Sequence, residues 1–211
     1  MQAWLRANAY SGRHTARELM DRLRTAPKGV QGATAEAQAV VTLSLVRVLR
    51  VLVAEIAQLE RHIREQLAVH PDGPIFCSLP RAGTVRAAAL LVEIGDCRAR
   101  FPSPESLAPL AGAVPSTRAS GQYRLVTFRW TCDKKLRDAL VDFAQDSVRA
   151  SAWADQLYRR HRQARKTHPH AARIVTRAWI SVIWRCWQDH EPYNPARHRA
   201  LQRVIAPGGL T

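Results

Sequence analysis

Acidic residues are scarce in this chain: 17 Asp and Glu stand against 32 Lys and Arg in 211 residues, a formal net charge of +15. Such an imbalance points away from a generic soluble enzyme and toward a polyanionic partner. Residues 1–80 carry 10 basic and 7 acidic side chains and residues 81–211 carry 22 and 10, so the positive field belongs to the C-terminal part. Cysteine is sparse as well. Cys77, Cys97, Cys132 and Cys186 lie far apart with no C-x-x-C and no nearby histidine pair, which argues against zinc and leaves reduced thiols in a cytoplasm as the plain reading. His168 and His170 flank Pro169 without partners to complete a ligand set, and they read as a surface loop. Long apolar runs are missing too: Arg47 and Arg50 cut the best candidate, short of the ~20 residues that a bilayer span needs. A soluble protein with no membrane partner is expected. The first residues, MQAWLRANAYSGRHTARELM, lack the order of a secretory signal and read like the middle of a domain, so a truncated or internally started chain is expected.

What remains is apolar enough, at 46%, to bury one core plus an appendage, and its pattern is helical nearly throughout. Thr15 and Glu18 fit a capping box ahead of a short helix with Leu19, Met20 and Leu23, and the Pro- and Gly-bearing stretch 26–34 then supplies a hinge. From residue 34 to about 69 a long helix is predicted. Its Leu45, Leu49, Leu52, Ile56, Leu59 and Ile63 are spaced alternately four and three, the seam of a coiled coil, or else the buried stripe of an amphipathic helix packed on its own domain. Residues 70–74, His-Pro-Asp-Gly-Pro, close that helix and mark a domain boundary. The resulting division is a short helical linker segment at 1–32, a coiled-coil helix at 33–70, a helical domain at 75–190 and a loosely held tail at 191–211.

The run SLPRAGTVRAAALLVEIGD at 78–96 carries the strongest local signal. A short helix, a turn at Arg81-Ala82-Gly83 and a helix beginning at Thr84 make a helix-hairpin-helix-like element, in which a glycine permits positive φ and lets phosphate oxygens approach backbone amides. Such modules usually show two glycines in the turn. Arg81 occupies the first position and could substitute a side-chain contact; the same hairpin could also be only a packing element. Ser103, Pro104 and Glu105 read as cap, first helical residue and dipole-matching acid of another helix that Pro109 bends or shortens. A basic loop, 115–123, follows. Residues 125–130 alternate as the one convincing strand or hairpin arm. Asp133 can cap a helix with Leu136, Leu140, Phe143 and Ala144 inward, residues 153–165 form another with Leu157 inward, and 171–187 the last, burying Ile174, Ala178, Ile183 and Trp187. The fold class is therefore mainly α: a long coiled-coil helix, then a helical domain with one short β-hairpin or extended arm.

The basic residues Arg159, Arg160, Arg162, Lys166, Arg173 and Arg177 are better suited to gripping phosphates than to reading bases, with tryptophans interleaved among the last of them. The acids form no catalytic cluster. Glu55, Glu60 and Glu65 follow the long helix, and Asp138, Asp142 and Asp146 step by four along one helix face, which reads as solvated.

The order LPRAGTVRAAALLVEIGD, then FPSPESLAPLAGAVPSTRASGQYR, then CDKKLRDAL and a Trp-rich basic helix resembles the C-terminal half of insertion sequence 110 family transposases, the IS116/IS110/IS902 type, over about residues 75–189. In that family an N-terminal RuvC-like domain carries a DEDD set of acidic metal ligands, a coiled coil dimerises the chain, and the C-terminal domain supplies a serine nucleophile for recombination guided by a structured RNA. The resemblance implies DNA and a guide RNA as partners, a homodimer or higher oligomer, and a bacterial cytoplasm or nucleoid. It implies no cofactor in this chain, Mg²⁺ being expected only with the RuvC-like domain, which is expected to have been lost or to lie in a separate upstream frame. It also selects Ser120, followed by Gly121, as the nucleophile, with Ser116 as the fallback; the residues alone would call this Ser-Gly a turn. Phosphoryl transfer to an alcohol needs cations on the non-bridging oxygens, and Arg118, Arg124 and Arg129 are near enough in sequence to supply them. Two other readings stay open: a non-catalytic helical module that binds DNA or RNA, and a coiled-coil adaptor for proteins.

Overall fold

The computed structural model describes residues 1–8, 10–27, 29 and 32–206. The centre of the expected hinge at 26–34 and Pro207 of the tail lie outside the described residues. The chain divides into two units, residues 1–55 and 56–211. The first holds α1 (Gln2–Ala7), α2 (Ala16–Thr25) and most of α3 (Ala33–Val69). At the start of α2 the capping box is present: the Glu18 N–H donates to the Thr15 hydroxyl at 3.2 Å, and the Thr15 N–H donates to the Glu18 carboxylate at 2.7 Å. Along α3, Leu45, Leu49, Leu52, Ile56 and Leu59 are each more than half exposed. Ile63 packs against the core of the second unit, and Leu67 is buried in it.

That second unit is built from α4 (Gly73–Cys77), α5 (Gly83–Ile94), α6 (Pro104–Leu110), a hairpin of β1 (Ser116–Ser120) and β2 (Tyr123–Thr127), α7 (Lys134–Ser147), α8 (Ala152–Gln163), α9 (His168–Gln188) and α10 (Arg199–Ile205). Among the described residues the molecule is mainly α with one two-stranded antiparallel hairpin. Asp133 caps α7 by accepting the N–H groups of Lys135 and Leu136, and the helix buries Leu136, Leu140, Phe143 and Ala144 at i, i+4, i+7 and i+8. These residues meet Val175, Trp179, Ile180, Ile183 and Trp187 of α9. Fully buried Trp179 donates its indole N–H to the Ser147 hydroxyl at 2.7 Å, which removes the cost of an unpaired donor in the core. Buried Asp72 accepts from the Trp187 indole at 3.2 Å and from Arg98 at 2.6 Å, so its charge is both paired and hydrogen-bonded. The residues expected to mark a boundary at 70–74 thus lie within the packed unit.

Several other expectations are corrected. The loop foreseen at 115–123 is mostly β1, because its polar sequence carries no alternation to advertise a strand and the pairing is made by backbone. His168 and His170 occupy the first turn of α9 rather than a loop, Pro169 being well suited to a position that needs no N–H donor. Ile174 and Ala178 are only partly buried, since the core face of α9 is rotated toward Val175 and Trp179. The segment after Asp189 is docked over its described length: Tyr193 and Leu201 are buried, and the His198 ring packs edge-on against Trp153 at 4.5 Å between centroids. Asp146, read as solvated, is enclosed by Arg81 at 3.0 Å, Arg86 at 3.1 Å and Arg149 at 3.4 Å; Arg86 also reaches Asp142 at 2.6 Å, tying α5 to α7.

Candidate nucleic-acid interface

On α9, His170, Arg173, Ile174, Arg177 and Ala178 recur at i, i+3, i+4, i+7 and i+8, and on α8 Leu157, Arg160 and His161 recur at i, i+3 and i+4. Each set therefore forms one helix face. The two faces and the root of the hairpin, from Val114 and Pro115 to residues 126–128, enclose a groove of 750 Å³. Its floor is apolar through Leu157, Ile174 and Ala178, and three arginines and two histidines line its walls.

The guanidinium of Arg177 donates to Glu105 at 3.1 Å, while its other terminal nitrogen is buried and has no partner among the described residues. Arg173 lies over the Phe128 ring, 4.7 Å from the centroid, a cation–π arrangement. Burial lowers the pKa of His161, and the charges of Arg160, Lys166 and His170 lower it further. Burial likewise lowers that of His170, assisted by Lys166 and Arg173. Both imidazoles are therefore neutral near pH 7.

The hairpin projects Ser120 into solvent. Gly121 and Gln122 form its two-residue turn, and Gly121, at φ 54°, takes the positive angle that such a turn requires at its first position. Register pairs Ser120 with Tyr123 and Arg118 with Leu125, so Ser120 and Arg118 share one face; Arg124, opposite Ala119, lies on the other. Four residue steps, about 13 Å of strand, separate Ser120 from the root, where Arg129 reaches the Pro115 carbonyl at 3.5 Å with its Nε buried and unpartnered among the described residues.

The structure thus gathers Arg160, Arg173 and Arg177 in one groove, with Arg129 at the adjoining hairpin root and Ser120, Gly121, Arg118 and Arg124 at or near its tip. The other named cations stand apart. Arg81, Gly83 and Thr84 sit at the α4–α5 turn, where Arg81 adopts φ 59°, the left-handed conformation a glycine would take, and sends its side chain to Asp146. Arg159 pairs with Asp155 on its own helix at 2.8 Å, and Arg162 donates to the Lys166 carbonyl at 2.9 Å. Sequence reasoning missed His170 and Phe128 as groove residues; helical spacing relative to Arg173 was the signal that could have found His170.

Among the described residues, one group has metal-ligand proximity: His70, Asp72 and Asp96. It does not fit a divalent cation, because both Asp72 oxygens already serve Arg98 and Trp187. No helix among the described residues is long and apolar enough to cross a membrane.

In sequence the chain is similar to a transposase and to proteins of insertion elements. The chain is 30% identical over 165 residues to a Streptomyces coelicolor protein named as a transposase for the mini-circle IS117, covering 78% of this chain and 38% of that protein. It is 30% identical over 159 residues to the 42 kDa protein of insertion element IS900 from Mycobacterium paratuberculosis, covering 75% and 40%, and 32% identical over 137 residues to the 43.6 kDa protein of insertion element IS110 from Streptomyces coelicolor, covering 64% and 34%. Residues 73–159, which contain α4 to α7, the hairpin and most of α8, match the family of IS116/IS110/IS902 transposases. The chain spans less than half the length of each of these relatives.

Proposed function

We propose that the second unit of this chain binds the phosphate backbone of DNA, and of a structured guide RNA, and that Ser120 is the nucleophile of a strand-exchange reaction. The observation that carries the binding reading is the groove in which Arg160, Arg173 and Arg177 converge beside the hairpin. Guanidinium groups on an apolar floor suit phosphates, which take bidentate donors and contribute no sequence information. Arg118, on the face of Ser120, and Arg124 near it are the cations available to the phosphate under attack, and the α4–α5 turn with Gly83 and Thr84 offers a second backbone grip.

In the chemical step the Ser120 Oγ forms a bond to phosphorus while the phosphorus–oxygen bond to the leaving sugar breaks. The leaving oxygen takes up a proton, and the serine proton passes to water or to a group on another domain. Mg²⁺ would act with acidic ligands of a RuvC-like domain and not through this chain's residues. A second copy of the chain joins through the exposed apolar seam of α3.

The test is capture of a DNA–protein adduct by the chain supplied with a RuvC-like domain. Ser120→Ala should abolish the adduct and leave DNA affinity within about twofold of wild type, and that affinity should fall on the order of a thousandfold between low and moderate salt. A Ser120→Ala protein that still forms the adduct removes the nucleophile assignment. Binding indifferent to salt removes the groove assignment.

A further inference from the structure

Trp130 is 77% exposed, an unusual position for the largest apolar side chain. Its indole is held edge-on by Phe128, at 4.9 Å between centroids and 85° between planes, which leaves a ring face available. Phe128 in turn carries Arg173 on its own face. The backbone around Trp130 is pinned. The Cys132 N–H donates to the Trp130 carbonyl at 3.1 Å, and the Asp133 N–H donates to the Leu110 carbonyl at 2.8 Å. Gly112, at φ 63°, lets the chain pass so close that a Cβ there would sit 3.0 Å from the Cys132 sulfur.

Beside this indole lies a second cavity of 490 Å³, within the size range of small-ligand sites, lined by Phe128, Arg137, Asp138, Gln145 and His168 as well as Trp130. Gln145 offers both donors and an acceptor, and Asp138, one oxygen of which takes Arg137 at 2.8 Å, has its second oxygen left as an acceptor, the complement that base edges require. Phe128 and Arg173 line this cavity and the arginine groove alike. A strand whose phosphates lie in the groove can therefore turn one base across Phe128 onto the indole.

We propose that Trp130 is a stacking platform for an unpaired nucleobase of a strand whose backbone is held in the arginine groove, an inference that rests on the groove reading above. Cationic surroundings and an open aromatic face favour a base of a polyanion over an apolar peptide, and stacking tolerates any base because each has a π-face. Rigid presentation keeps the ordering cost of binding low.

The test is fluorescence anisotropy with four labelled ligands of one sequence: a perfect duplex, the same duplex with one bulged nucleotide, single-stranded DNA and single-stranded RNA. Trp130→Ala should weaken binding of the bulged and single-stranded ligands about tenfold and leave the perfect duplex unchanged, while Trp130→Phe keeps most of the affinity. A larger loss on RNA than on DNA, or the reverse, identifies which strand supplies the base. The exposed ring makes few packing contacts, and an unchanged thermal midpoint confirms that the variant is folded. Equal losses on all four ligands, or none, overturn the platform. The double variant Arg160→Ala/Arg177→Ala separates the two ideas: if it loses duplex affinity while Trp130→Ala loses nothing, the groove stands and the platform falls. If the wild-type chain binds none of the four, both fall.

Discussion

His161 and His170 face the groove as neutral imidazoles whose protonation is delayed by burial and then by neighbouring cations. Phosphates placed in the groove reverse that balance, because an anion favours the charged ring. Affinity for nucleic acid should therefore rise severalfold as pH falls from about 7 to about 5.5, and the double variant His161→Ala/His170→Ala should flatten the profile. Binding titrations across that range decide it. For the free protein the sign is opposite. A histidine whose folded pKa is depressed contributes its stability fully above its unfolded pKa near 6.5 and loses it as pH drops toward the folded value, since the unfolded chain holds more protons. Arg160 in its basic run and Arg173 and Arg177 among tryptophans stood out in the sequence as cations, but their convergence in one groove depends on how α8 packs on α9. Ser120 came from the family likeness rather than from its surroundings, and His170 was hidden by the neighbouring Pro169, which suggested a loop.

Between α7 and α9 the Trp179–Ser147 hydrogen bond joins two helices inside the core. Ser147→Ala leaves a buried indole N–H without an acceptor, which should cost about 1–3 kcal/mol. The thermal midpoint should then fall by about 2–4 °C per kcal/mol, and urea unfolding gives the free energy directly. A change within a few tenths of a kcal/mol would show that another group accepts the N–H. At this scale the sequence was readable where chemistry is local. The caps at Thr15 and Asp133 and the apolar stripe of α7 follow from residue types at fixed spacing. Strand β1 was not readable, since Ser-Thr-Arg-Ala-Ser pairs through its backbone and buries nothing. Nor was the docking of Tyr193 on Trp179 and of His198, just before α10, on Trp153, contacts that no local spacing announces.

Along the chain the surplus charge and the exposed apolar side chains fall in different segments. Surplus cations belong to residues 81–211, while the apolar seam of α3 stands exposed through Leu45, Leu49, Leu52, Ile56 and Leu59. If that seam joins two copies, Leu49→Asp/Leu52→Asp should convert a dimer to a monomer in sedimentation equilibrium, without altering the thermal unfolding of the second unit. A wild-type chain that sediments as a monomer at the same concentration rules that assembly out. The ring of Phe128 has a larger consequence than its size suggests, because together with the Arg173 guanidinium stacked on it, it forms the wall shared by both cavities. Cutting it back would merge two chambers into a single trough, and a threaded polynucleotide would lose the partition that sorts its charged edge from its flat rings.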